Sequence, residues 1–149
     1  MDDNIERKPE DLAYLAGYID ADGTIGLRYL KTRNEYMPVL SIAQARRDIL
    51  EELQAIAGVG GYIWTGENKK GSGFLISRLQ YSYQKAGQVC SLALPYLRLK
   101  GAQAVIIIQI CEWRIKYNHS NVADRDAYFI PRHEEMKRLN AANKSRKIR

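Results

Sequence analysis

Two aspartates, Asp20 and Asp22, flank a single alanine at the end of a run that reads as a helix. Carboxylates are misplaced there, because the last carbonyls of a helix are partly negative and lack intrahelical partners. A nearby cation has to compensate them. A hard divalent ion fits that need: Mg²⁺ takes one or two carboxylates, keeps several waters and completes its shell with phosphate. Spacing alone leaves a second reading open, in which both aspartates are solvated turn residues or bond to local backbone. Along the same helix Ala13, Gly17 and Ala21 recur at every fourth position, with Ala16 beside them. Small residues so spaced let a second helix approach closely. Gly17 costs ~1 kcal/mol relative to alanine in a helix interior, so it calls for a packing reason. Whether the partner helix is internal or belongs to another molecule is open at this point.

The elements that must hold these residues follow from periodicity and breakers. Pro9, Glu10 and Asp11 open a helix, which runs over 12–21 until Gly23 stops it. Residues 24–31 alternate as a strand, with Ile25, Leu27 and Tyr29 on one side and Thr24, Gly26, Arg28 and Leu30 on the other. A polar turn over 32–36 and a strand over 39–43 complete a hairpin. Ile49, Leu50, Leu53, Ile56 and Ala57 place a helix over 47–57, ended by Gly58. Residues 61–65 and 74–83 form a second hairpin around the loop GENKKGSG. A helix over 86–97, interrupted near Pro95, precedes another over 103–117 that is apolar nearly all round and therefore buried. Residues 118–127 read as a polar loop, and Pro131 opens a last helix to about residue 140. Hairpins alternating with helices predict an α+β fold, with helices on one face of an antiparallel sheet and the other face open.

The chain has 149 residues, enough for one domain that buries roughly 70% of its unfolded surface. Hydrophobic residues make up 46% and charged residues 27%, which argues against disorder and fibrous folds. Two cysteines, Cys90 and Cys111, cannot build a disulfide framework or a cysteine-rich zinc module. Two histidines, His119 and His133, leave little for a histidine metal site. The longest apolar stretch, 104–108, falls far short of the ~20 residues of a membrane span, so no membrane partner is expected. The acidic, polar start resembles neither a signal nor a transit peptide, and an intracellular location is expected, in a cytoplasm or an organelle matrix. The net charge of +6 favours a polyanion, nucleic acid first. It is unevenly spread: residues 1–11 carry two basic and five acidic side chains, whereas residues 132–149 carry seven basic and two acidic.

Residues 15–23 read LAGYIDADG. This resembles the signature of the LAGLIDADG homing endonucleases, with Tyr18 the one departure. Residues 39–44 (VLSIAQ) resemble the strand ending in the family's active-site glutamine, 46–60 (RRDILEELQAIAGVG) the helix and glycine turn after it, and 95–100 (PYLRLK) the segment ending in its active-site lysine. The resemblance covers about residues 10–117. It implies the αββαββα homing-endonuclease fold, a saddle-shaped antiparallel sheet lying on double-stranded DNA, with C-terminal helices beyond. A single motif implies a homodimer whose motif helices meet at the two-fold axis, involving Ala13, Gly17 and Asp20. A C2 dimer implies a long, near-palindromic target. The implied reaction is hydrolysis of one phosphodiester per strand, leaving short 3′ overhangs. Asp22 and the carbonyl of Ala21 match the metal-binding positions, with Mg²⁺ the cofactor and Mn²⁺ or Ca²⁺ able to replace it in binding. Gln44 matches the residue that positions water, Lys100 the one that stabilises phosphate charge or activates water, and Arg46 a basic position near the cleavage pocket.

Reading the bases falls to the sheet, because strands in a major groove present alternate side chains to base edges. Thr24, Gly26, Arg28 and Leu30 are the first set, with Arg28 able to bond guanine at two points. Ser41, Val39 and Met37 follow on the second strand, and Arg78, Gln80 and Ser82 on the fourth. Trp64 fits either the core or a stacking role. Lys69 and Lys70 in the hairpin loop meet phosphates, which position without specifying. Two other functions share the surface: an RNA maturase acting on intron RNA, and a DNA-binding regulator that has lost cleavage. Asp22, Gln44 and Lys100 together favour the nuclease over the regulator.

Overall fold

The computed structural model describes residues 6–118 and 121–143. Helix α1 (Pro9–Asp22) passes without a loop into strand β1 (Gly23–Leu30), followed by β2 (Glu35–Gln44), α2 (Arg47–Ala57), β3 (Tyr62–Glu67) and β4 (Leu75–Ser82). Helix α3 (Gln84–Ala93), a single 3₁₀ turn (Leu94–Tyr96), α4 (Gly101–Lys116) and α5 (Val122–Ala142) complete the order. The abrupt helix-to-strand passage explains Gly23. Its backbone is extended, and a Cβ there would come within 2.7 Å of the Ile19 carbonyl oxygen. Gly58 ends α2 for a different reason. It takes the left-handed conformation (φ 65°) and donates its N–H to the carbonyls of Gln54 and Ala55.

The four strands form one antiparallel sheet in the order β1-β2-β4-β3. Pairing of β2 with β4, Leu40 opposite Tyr81 and Ile42 opposite Leu79, joins the two hairpins into a continuous surface. Pro38 is tolerated inside the central strand β2 because its carbonyl accepts from Tyr83 N on the β4 side, beyond the last paired residue. Its missing donor therefore costs no bond to β1. One face of the sheet carries Ile25, Leu27, Leu40, Ile42, Leu79 and Tyr81, all buried against Leu15 and Ile19 of α1, Leu50 and Leu53 of α2, and Ile107 of α4. Cys90 and Cys111 are free and buried in this core. The architecture is α+β, as the element order predicts.

Three expectations are corrected. Tyr29, which alternation sets on the same side as Ile25 and Leu27, is 40% exposed where they are buried. It sits at the end of β1, past the last helix that covers it, with its hydroxyl donating to Asn34 Oδ1. The stretch 118–127 is not a loop throughout: α5 begins at Val122, capped by Asn121, whose Oδ1 accepts from Asp124 N at 2.8 Å. Pro131 lies inside this helix rather than opening it. Aromatic packing holds the helix together across it: Tyr128 stacks on Trp113 at 4.3 Å, and Phe129 stacks on Tyr36 at 5.4 Å. Helix α5 also breaks the simple two-layer picture. It runs along the free edge of β1, where Asn140 Nδ2 donates to the Ile25 carbonyl. No helix among the described residues is long and apolar enough to cross a membrane.

Candidate active site and nucleic-acid face

The end of α1 needs a cation, and the fold brings one from far along the chain. Lys100 Nζ donates to the carbonyl oxygens of Ile19 (3.0 Å), Asp20 (2.9 Å) and Gly23 (2.6 Å). All three ammonium protons thus cap the negative end of the helix. Asp20 returns the contact. Its carboxylate accepts the backbone N–H groups of Arg98 (2.8 Å), Leu99 (3.1 Å) and Lys100 (3.1 Å), in the turn that leads into α4. Acid and base therefore clasp each other's backbone across about 80 positions of sequence. Partial burial lowers the Lys100 ammonium's pKa, while the Asp20 and Asp22 carboxylates pull it back up. Both Asp20 carboxylate oxygens are therefore engaged within the chain. The turn carrying Lys100 is further held by α5, where Asn143 Nδ2 donates to the Leu99 carbonyl.

Asp22 is left over. No described hydrogen bond ends on its carboxylate or on the Ala21 carbonyl, and both residues are exposed at the open end of α1. These are hard oxygen donors, the kind Mg²⁺ accepts. Among the described residues no three histidine, cysteine, aspartate or glutamate side chains cluster as a metal cage. One chain offers one carboxylate and one carbonyl, so the residues fit a divalent ion only as part of a shared set.

The other candidate site residues are less tightly gathered. Gln44 stands at the last position of β2, near the start of β1, because Gly23 pairs with Ile42. Its side chain has the parity of the core face, and its Oε1 accepts weakly from Arg46 N at 3.5 Å. Arg46 is exposed and tied to Asp48 through two hydrogen bonds, which hold the Asp48 carboxyl below its ordinary range. It lies toward Tyr14 and Tyr18 of α1 rather than against Lys100.

The sheet register sorts the base-reading candidates. Thr24, Ser41, Gln80 and Tyr62 form one row across the open face; Ala43, Arg78 and Trp64 form another; Gly26 opposite Val39 and Arg28 opposite Met37 lie nearer the β1–β2 tip, followed by Leu30 opposite Glu35. All the proposed strand residues thus share one face. Trp64 joins them, with the Arg78 guanidinium 5.7 Å from its ring centroid. Val39 is on this face yet only 5% exposed, the least accessible of the set. Lys69 and Lys70 are exposed at the tip of the β3–β4 hairpin. Sequence reading missed Tyr62, which strict alternation with Trp64 would have placed here. It also missed Asn140 and Asn143, three apart near the end of α5, which with Gly23, Thr24 and Lys100 line a small cleft beside the end of α1.

The sequence model of the LAGLIDADG-like domain matches residues 9–86, from the first residue of α1 to the first turn of α3. The chain belongs to this family. No curated protein matches it. Among solved structures it is similar to the homing endonuclease I-CvuI in complex with its target, at 23% identity and a TM-score of 0.68, over 95% of this chain and 88% of that one. It is also similar to the intron-encoded homing endonuclease I-CeuI complexed with DNA (17% identity, TM-score 0.62, 90% and 69% covered). A third similarity is to I-SmaMI bound to cleaved DNA (16% identity, TM-score 0.56), where the chain spans 52% of that protein. These similarities establish the LAGLIDADG fold.

Within a LAGLIDADG domain the outer face of the motif helix gains meaning. Ala13, Tyr14, Gly17 and Ala21 are exposed, whereas Leu15, Ala16 and Ile19 are buried. A Cβ placed on Gly17 would meet nothing within 4 Å. No packing among the described residues accounts for a glycine there. Tyr14, Gly17, Tyr18, Ala21 and Asp22 border a shallow depression along this face, so the small-residue stripe and the free carboxylate lie on one surface.

Proposed function

We propose that this protein is a site-specific DNA endonuclease that acts as a homodimer, requires a divalent metal and cuts both strands of a near-palindromic target, leaving short 3′ overhangs. The observation that carries the reading is the exposed face of α1. It presents Gly17, which no described neighbour requires, in line with Asp22, whose carboxylate accepts no hydrogen bond among the described residues. Two copies meeting along this face bring two Asp22 carboxylates and two Ala21 carbonyls to the two-fold axis. The DNA complexes of the structurally similar homing endonucleases, solved in the presence of Mg or Ca, support the same partner and metal class.

Asp22 and the Ala21 carbonyl would hold Mg²⁺. A divalent ion so bound supplies Lewis acidity at the scissile phosphate and an acidified water. The chain's own groups do the rest. The clasp between Asp20 and Lys100 holds the end of α1 rigid, so that the Asp22 carboxylate is aimed before substrate arrives. Lys100, its protons spent on carbonyls, favours the phosphate's charge through its field rather than by contact. The Gln44 amide, both donor and acceptor, orients the attacking water at the end of β2. Arg28, Arg78 and Gln80 read base edges while Lys69 and Lys70 hold the backbone.

The test uses the purified chain and the uninterrupted form of the DNA that flanks its gene. Double-strand cutting with Mg²⁺, its loss in EDTA and its loss in Asp22→Asn, with DNA binding retained by the variant, is the expected result. Full cutting by Asp22→Asn would overturn the metal assignment. Tight binding without cutting by the wild type would mark a regulator that has lost the reaction.

A further inference from the structure

The open face of the sheet has a wall. Beside the strands a cleft of about 280 Å³ is floored by β1 and β2 residues including Thr24, Arg28 and Ser41, and bounded by His133, Lys137 and Asn140 of α5. The wall is built into the fold: Met136 is 2% exposed, Asn140 bonds the Ile25 carbonyl, and the His133 ring packs edge-on against Tyr36 at 5.2 Å. A free strand edge calls for cover, and α5 supplies it. Cover alone does not account for what faces the cleft. His133 and Lys137 are one helical turn apart, Lys137 is exposed, and Arg28 across the floor has no ion pair among the described residues. Lys137 has Glu134 as an exposed neighbour at 3.7 Å, and neither Glu134 nor Glu135 lines the cleft. The cleft therefore presents cations and hydrogen-bonding groups at its rim beside the apolar Leu27, Val39 and Met136.

We infer that α5 is one wall of the DNA groove, and that Lys137, with His133 beside it, holds the sugar–phosphate strand bordering the base pairs that Arg28 reads. This rests on the proposed DNA-binding function and adds a contact surface that the sheet alone does not provide. A side chain standing at the margin of the groove floor meets the backbone rather than base edges, so it strengthens binding to every sequence alike.

The test uses the full chain and a random-sequence duplex of about 30 base pairs, with dissociation constants measured from about 50 to about 200 mM KCl. Lys137→Ala should weaken binding several-fold at the lowest salt and reduce the slope of log K against log [KCl] by about one per protomer. Lys137→Arg should restore both. Lys116→Ala, at the end of α4 over Tyr117, serves as the control and should change neither. Thermal unfolding should be the same for all variants. A Lys137→Ala slope and affinity equal to wild type would overturn the inference while leaving the DNA-binding function standing. Tighter binding by Lys137→Ala would also overturn it, because α5 would then obstruct the duplex. No duplex binding by the wild type at any salt would overturn both.

Discussion

Asp20 and Asp22 are two residues apart and do different work. Asp20 collects three backbone N–H groups from the turn that leads into α4, and Asp22 collects none. The cation that makes a carboxylate pair tolerable at a helix C-terminus is Lys100, supplied by the chain itself. Any metal is thus an addition to this site and not a condition of folding. Asp20→Ala should lower stability by about 1–3 kcal/mol, since it removes three hydrogen bonds to a charged group, one of them part-buried and two exposed. Lys100→Met should also destabilise, because it uncovers three carbonyls at the negative end of α1. Asp22→Asn should change stability little, because no described hydrogen bond ends on its carboxylate and Lys100 meets it only through its field. Urea unfolding of the three variants separates these outcomes. A destabilised Asp22→Asn, or an undisturbed Asp20→Ala, would contradict the division of labour.

At the scale of elements, α5 is where local rules and tertiary packing disagree. Proline in a helix interior costs about 3 kcal/mol, and its preference for the first turn makes Pro131 look like a start. Trp113, Tyr36, Tyr128 and Phe129 stack across that position and override the preference. Arg114 deepens the same cluster, with its guanidinium over the Tyr83 and Phe129 rings and bonded to the Tyr36 carbonyl. Pro131→Ala should therefore stabilise the protein by about 1–3 kcal/mol, since it restores a helical bond and disturbs no buried contact at this exposed position. A lower melting temperature for this variant would show that the proline itself helps lay α5 along β1. The start of α5 did have a local signal, Asn121 followed three residues later by Asp124, but Pro131 was the stronger-looking mark.

At the scale of the molecule, the proposed assembly rests on the outer face of α1. Gly17 is exposed, small and without a neighbour, so its replacement by a large side chain should leave the single chain folded and prevent pairing. Light scattering and far-ultraviolet circular dichroism of Gly17→Trp should show a folded monomer where the wild type is a dimer. A wild-type monomer, with and without DNA, would rule out pairing along α1. A dimeric Gly17→Trp would move the interface elsewhere. The net charge of +6 bears on this arrangement too. Arg28, Arg78, Lys69 and Lys70 belong to the open face or its margin and not to α1, so these cations do not oppose the contact, whereas the two Asp22 carboxylates would oppose it without a shared cation.

Local features of this protein were legible from neighbouring residues. The motif LAGYIDADG, the alternation of β1 through Leu27, the amphipathic α2 with Gly58 after it, and the two hairpins each depend on side chains within a few positions of one another. Periodicity and backbone sterics act over that range. The shared face of Thr24, Arg28, Ser41, Arg78 and Gln80 also follows from alternation once the strands are paired. The order β1-β2-β4-β3, the reach of Lys100 to the carbonyls of residues 19–23, the engagement of Asp20 and the placing of α5 against β1 join residues as many as 115 positions apart. No local pattern encodes such pairings. They were decided by which surfaces could be buried together while the buried donors and acceptors at helix ends and strand edges still found partners.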